Sequence, residues 1–162
     1  MGRAYADVQK YLIPNVNLDA PLSICHLDPS NTSVFLSDAA THPTVEILTM
    51  CFPGDIDDAT KQAVESQFAE FTDKVLRAPG LCKSVSTSWS VEKDVPLPGL
   101  EAEQKGAVYV SLITWRSVQE HLDNRELDVF KENVHLLRGL PRLVKLNVVH
   151  VNALTRLAED AK

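Results

Sequence analysis

The stretch from Ala107 to Val151 constrains this chain most, because it reads as strand, helix and strand with almost no slack between them. Ala107 to Trp115 is β-branched and aromatic, Ser117 opens a helical pattern, and Leu143 to Val151 returns to strand character. Within the helical part Val118, Leu122, Phe130, Val134 and Leu137 recur at spacings of three, four and eight, which places them along one stripe. Such a stripe needs a sheet to cover. Gly139 and Pro141 mark where the helix ends.

Upstream the same grammar repeats. Val45 to Phe52 reads as a strand closed by Pro53 and Gly54, and Asp55, Asp57 and Asp58 supply N-cap candidates for a helix running to about Arg77. Val64, Phe68, Phe71 and Val75 form its sheet-facing stripe. After Ala78, Pro79 and Gly80, the strand Leu81 to Glu92 alternates: Val85, Thr87, Trp89 and Val91 on one face, Ser84, Ser86, Ser88 and Ser90 on the other. Lys93 to Lys105 is a long loop with two prolines and a glycine, a lid or an ordinary surface excursion. Residues 1–43 keep no period. Tyr5 to Ile13 suits a short helix and Thr32 to Leu36 a brief strand, within an extension that wraps the core, covers a site or trails as a tail. The expected organisation is this extension, one domain over residues 44–154, and a frayed tail over 155–162.

The length of 162 residues suits one domain. A formal charge of −6 without a Lys/Arg-rich run offers no face to nucleic acid or anionic lipid, and no segment approaches the ~20 apolar residues of a membrane helix. A cytoplasmic protein is expected. Cys25, Cys51 and Cys82 are odd in number and share no Cys-x-x-Cys spacing, so each is expected as a small buried hydrophobe.

From residue 45 the order is β-α-β-β-α-β, which predicts an α+β, ferredoxin-like fold: a four-stranded antiparallel sheet with two helices on one face. The second face is then open. In the third strand Tyr109, Ser111, Ile113 and Trp115 share one side and Val108, Val110 and Leu112 the other, and the aliphatic set suits the helices better. In the last strand Val144, Leu146, Val148 and His150 are assigned to the helices, Lys145, Asn147 and Val149 to the open side. The open face so predicted mixes serines with Tyr109, Ile113, Trp115 and Asn147, the character of a ligand cavity.

Acid/base chemistry would fall to histidine. His121 lies beside the stripe of the second helix and His150 is in phase with the helix-facing row; each has a packing role as its plain alternative. His42, just before the first strand, and His26 would close over a pocket mouth, and His135 beside Lys131 and Glu132 is solvated. Tyr109 would donate a proton or hold an oxygen, or else sit at a dimer interface; Trp115 offers a stacking surface, and Ser86, Ser88, Ser111 and Asn147 offer hydrogen bonds. No local cluster has metal-ligand spacing, so no metal is expected, and neither a Gly-rich phosphate loop nor a Gly-x-Ser-x-Gly elbow is present.

The element order, Pro53-Gly54, the turn Ala78 to Leu81, and Trp115 to Leu122 with Ser117 and His121 together resemble the dimeric α/β-barrel superfamily. The similar branches are the stress-responsive barrel proteins and the antibiotic-biosynthesis-monooxygenase-like domains. The resemblance spans roughly Val45 to Leu154. It implies a homodimer pairing two open sheets, a small-molecule substrate, no cofactor, and His121 as a site histidine. One departure is plain: the first strand, Val45 to Phe52, has no histidine where the stress-responsive branch often has one. The implied function is an acid/base cyclisation, or a related lyase or isomerase step, on a polyketide-like or phenolic compound. A cofactor-free monooxygenase and a non-catalytic stress-responsive dimer or ligand carrier are the alternatives.

Overall fold

A computed structural model of the chain describes residues 25–28, 41–77, 82, 84–97 and 104–152. The suggested helix at Tyr5 to Ile13 and strand at Thr32 to Leu36 lie outside the described residues. Strand β1 (Thr44–Pro53) leads to helix α1 (Asp58–Phe71), which continues as a π-helical segment, Thr72–Arg77. Then come β2 (Val85–Trp89), a two-residue β3 (Val95–Pro96) and the long β4 (Lys105–Trp115). Helices α2 (Val118–Glu126) and α3 (Asp128–Arg138) precede β5 (Lys145–Asn152). The strands are antiparallel in the order β2-β4-β1-β5, with β3 added on β4. This is the ferredoxin-like arrangement the sequence predicts, enlarged by β3, which forms inside the segment expected as loop.

Local chemistry sets these boundaries. The Asp57 side chain accepts the Thr60 amide at 2.7 Å and starts α1. Val64, Phe68, Phe71 and Val75 are all buried, as their spacing requires, and they pack on Leu48, Met50 and Phe52 of β1. At the far end the Thr72 hydroxyl donates back to the Phe68 carbonyl at 2.9 Å, where the helix widens. Gly106 is demanded by close approach: a Cβ there would lie 2.0 Å from the Phe52 carbonyl oxygen across the β1–β4 pair.

Three expectations need correction. Tyr109, Ser111, Ile113 and Trp115 face the helices, not the open side, while Val108, Val110 and Leu112 face away. Register settles this, because Trp89 and Val85, which pack on the helix side, lie opposite Tyr109 and Ile113. The cause is that β4 is interior: every residue from Gly106 to Trp115 is buried, so neither row looks polar. Second, the single helix expected after Ser117 is two. Leu127 is extended (φ −66°, ψ 145°), and the bend re-phases the stripe. Val118 and Leu122 are therefore exposed, and α2 buries His121 and Asn124 instead. Third, the strand expected over Leu81 to Glu92 is shorter, Val85–Trp89, extended only by a bridge between Ser90 and Leu27.

The face turned from the helices is apolar at its centre: Val45, Cys51, Val108, Val110 and Leu112 cluster with Val95 and Leu97, and Cys25 packs on them. Ser86 and Ser88 flank it on β2, as their alternation predicts. On β5 the same face leaves Val149 and Val151 nearly half exposed. The three cysteines are free thiols; Cys51 is buried, and Cys25 and Cys82 are partly so. Among the described residues no helix is long and apolar enough to cross a membrane.

Candidate active site

Glu46 is the one charged residue of β1. It falls in phase with Leu48, Met50 and Phe52, so β1 carries it to the helix-facing side, where it is 4% exposed. The β1–β5 register places it directly opposite His150. From the end of β4, the Trp115 indole N–H donates to Glu46 Oε2 at 2.8 Å. The chain then turns at Ser117, whose hydroxyl accepts the Glu120 amide at 3.1 Å and caps α2. Arg116 is clamped at the same turn by the Glu120 carboxylate, its backbone and guanidinium nitrogens at 2.8 and 2.7 Å.

One helical turn beyond the cap, His121 comes back over the strand ends. Its ring stacks on Trp115 with centroids 5.1 Å apart and lies 4.9 Å from the ring of His150. His121 Nδ1 and His150 Nε2 share a hydrogen bond of 2.8 Å, and His121 Nε2 stands 3.7 Å from Glu46 Oε2. Three elements distant in sequence thus deliver a carboxyl and two imidazoles to one point. Their donor atoms all lie within 4.8 Å of one another, close enough for a divalent ion to bridge them, although no local spacing announces such a set.

Burial governs the protonation of this cluster. It pushes the Glu46 carboxyl up to about 7, outweighing the Trp115 hydrogen bond and the Arg125 charge, which both pull it down. It pushes His121 down to about 4, helped by the neighbouring His150 and Arg125. Between those two values both groups are neutral, so the 3.7 Å contact is that of an acid facing an uncharged imidazole rather than a salt bridge.

The cluster opens into a cavity of about 270 Å³ between the sheet and α2 and α3. Phe71, Leu76, Phe130, Leu137, Leu146 and Val148 give it apolar walls. Asn124, fully buried, lines it as well; its Nδ2 donates to the Val75 carbonyl at 3.3 Å and its Oδ1 has no partner among the described residues. Arg125 and Arg138 stand on the lining too.

Of the residues singled out in the sequence, His121, His150 and Trp115 meet around Glu46, and His121 also lines the cavity. Tyr109 does not line this cavity. It packs edge-on against Phe68 (5.8 Å) and close to Trp89 (4.8 Å), and lines a second, more polar hollow with Thr87 and Arg77. Burial pushes its phenol up, so it is a neutral hydroxyl. Ser111 is buried on the helix side, and its hydroxyl has no partner among the described residues. Ser86 and Ser88 are buried on the opposite face, where the Ser88 hydroxyl accepts the Asp28 amide and donates to the Trp89 carbonyl, each at 2.9 Å. Asn147 is exposed on that face. His42 meets the Thr41 hydroxyl at 2.9 Å before β1, and His26 pairs with Glu92. Glu46 and Asn124 escaped notice in the sequence. For Glu46 a signal was present: an acid on the core-facing row of the first strand.

No protein-family model matches the chain, and no curated protein matches it. Among solved structures it is similar to a putative antibiotic biosynthesis monooxygenase from Bordetella bronchiseptica, with 18% identity, a TM-score of 0.45, and coverage of 70% of this chain and 99% of that one. It is similar to the hydroxynitrile lyase from Passiflora edulis, with 13% identity, a TM-score of 0.45, and coverage of 67% and 92%. SnoaB, a cofactor-independent oxygenase from Streptomyces nogalater, is similar at 17% identity, a TM-score of 0.45, and coverage of 72% and 99%.

Proposed function

We propose that the chain is a small-molecule enzyme that moves a proton on an activated carbon without a cofactor, as a cyclisation, lyase or isomerase step requires. The observation that carries this is the cluster of buried Glu46 and His121 with partly buried His150, in which Glu46 and His121 line a largely apolar cavity. A carboxyl that titrates at about 7 is half ionised at neutral pH and is a far stronger base than an ordinary carboxylate. Glu46 therefore takes the proton, in place of the His121 assigned that role from sequence. Trp115 holds one of its oxygens and leaves the other for the substrate.

His121, neutral above about pH 4, acts as the hydrogen-bond donor to the oxygen that gains charge. When His150 Nε2–H donates to His121 Nδ1, the remaining His121 proton sits on Nε2, the nitrogen nearest Glu46. Every strong contact in the cluster is thus a proton-bearing one. A polyketide-like or phenolic substrate suits the apolar walls. We also propose a homodimer in which the apolar sheet faces pair, since Val149 and Val151 leave aliphatic surface exposed beside the buried Val45 and Val110.

The test needs no prior substrate. A panel of β-dicarbonyl compounds and phenylacetones is incubated in deuterated buffer, and carbon-bound deuterium is followed by proton NMR. Enhanced exchange that rises with pH through about 7 and disappears in Glu46→Gln is the expected result. Exchange that survives Glu46→Gln in a folded protein would remove Glu46 as the base. Dependence on dissolved oxygen would instead favour the monooxygenase chemistry.

A further inference from the structure

Arg125 and Arg138 both line the cavity, on α2 and α3, and neither makes a hydrogen bond or ion pair with another described residue. Three of the five acids on α2 and α3 are already engaged. Glu120 holds Arg116 at 2.6 Å, Asp123 accepts from Gln119 at 2.8 Å, and Glu126 pairs with Lys131 at 3.2 Å. Arg142, four residues past Arg138, is taken by Asp55 at 2.7 Å. Two guanidiniums left over at one cavity are unexpected in a chain whose formal charge is −6. Arg125 is close enough to the inner cluster that its charge acts on both Glu46 and His121.

We propose that Arg125 and Arg138 bind an oxyanionic end group of the substrate, so that the ligand is an apolar molecule with one anionic terminus and its reactive carbon at Glu46. This rests on the proposed function, since it takes the cavity as the substrate site. The walls and volume fit such a molecule: about 270 Å³ is the share of roughly nine waters, hence room for a body of about ten non-hydrogen atoms. Guanidinium recognises carboxylate and phosphate through paired N–H donors, and an exposed mouth keeps the anion partly solvated while the body is buried. The anion also anchors one end, which fixes how far the reactive carbon lies from the base.

Isothermal titration calorimetry at neutral pH and low salt tests this with 3-phenylpropanoate, its neutral isostere 3-phenylpropanamide, and phenyl phosphate. Either oxyanion is expected to bind at least about tenfold tighter than the amide, equivalent to about 1.4 kcal/mol. The stronger of the two identifies the end group. The preference should vanish in Arg125→Gln/Arg138→Gln, survive in part in the Lys/Lys variant, and shrink as salt is raised. Both arginines are exposed, so the variants should fold. Equal binding of amide and oxyanions would overturn the anion site and leave the cavity as a ligand site. An oxyanion preference unchanged in the Gln/Gln variant would overturn it too. Binding of none of the three would overturn both this and the proposed function.

Discussion

Replacing Glu46 by Gln removes one titration and little else, because the amide oxygen still accepts the Trp115 N–H that now reaches Glu46 Oε2 at 2.8 Å. In the folded chain the carboxyl titrates at about 7, raised from 4.5, while in the unfolded chain it keeps its ordinary value. Over that interval the native state holds a proton that the unfolded chain has released. Stability associated with Glu46 is therefore full below about pH 4.5 and is lost as pH rises through about 7. At 1.36 kcal/mol per pH unit, the loss approaches about 3 kcal/mol, a large part of a small domain's total. His121 runs the other way: its folded value of about 4 gives a contribution present above about 6.5 and lost as pH falls through about 4. The two offset each other in the wild type, which hides both.

The difference between Glu46→Gln and wild type exposes the first. Urea unfolding of both proteins from about pH 4 to 8 should show the variant gaining on the wild type by about 3 kcal/mol between about 4.5 and 7.5, then no further. A difference that stays constant with pH would show that Glu46 titrates alike in both states and would refute the buried-acid argument.

Other perturbations probe separate parts of the structure. Gly106→Ala drives a methyl into the Phe52 carbonyl across β1 and β4, and thermal unfolding should report a loss of about 3 kcal/mol or more. Trp115→Phe removes the only hydrogen bond described for the Glu46 carboxyl, so its midpoint should climb above 7 in a carbon-13 titration; an unchanged midpoint would contradict the assigned pairing. Val149→Lys/Val151→Lys places charge on the proposed sheet-to-sheet interface and should yield a folded monomer by light scattering, whereas an unaltered mass would locate any dimer elsewhere.

Much of this fold was legible because one-sided elements announce themselves. The α1 stripe has a single buried side, and β2 alternates serine with Val85 and Trp89, so each could be oriented from sequence. Strand β4 could not, since it is covered on both faces and both of its rows are apolar; its orientation was available only through its neighbours, Val85 opposite Ile113 and Trp89 opposite Tyr109. Helix α2 misled for a related reason. It buries polar His121 and Asn124 while Val118 and Leu122 face out, an inversion that a hydrophobic stripe cannot reveal and that marks a site. The same holds for Glu46, whose buried charge breaks the pattern of β1. His121, His150 and Trp115 were individually visible, but their meeting depends on the β1–β5 register and the Ser117 cap.

The roles proposed for Glu46 and His121 rest on both being neutral across the mildly acidic range. Nuclear magnetic resonance titration of the Glu46 carboxyl carbon and the His121 ring nitrogens in one sample measures this directly. Midpoints near 7 for Glu46 and near 4 for His121 are the expected result. Midpoints near 4.5 and 6.5 would mean an ordinary ion pair, charged on both sides between those values, and would contradict it.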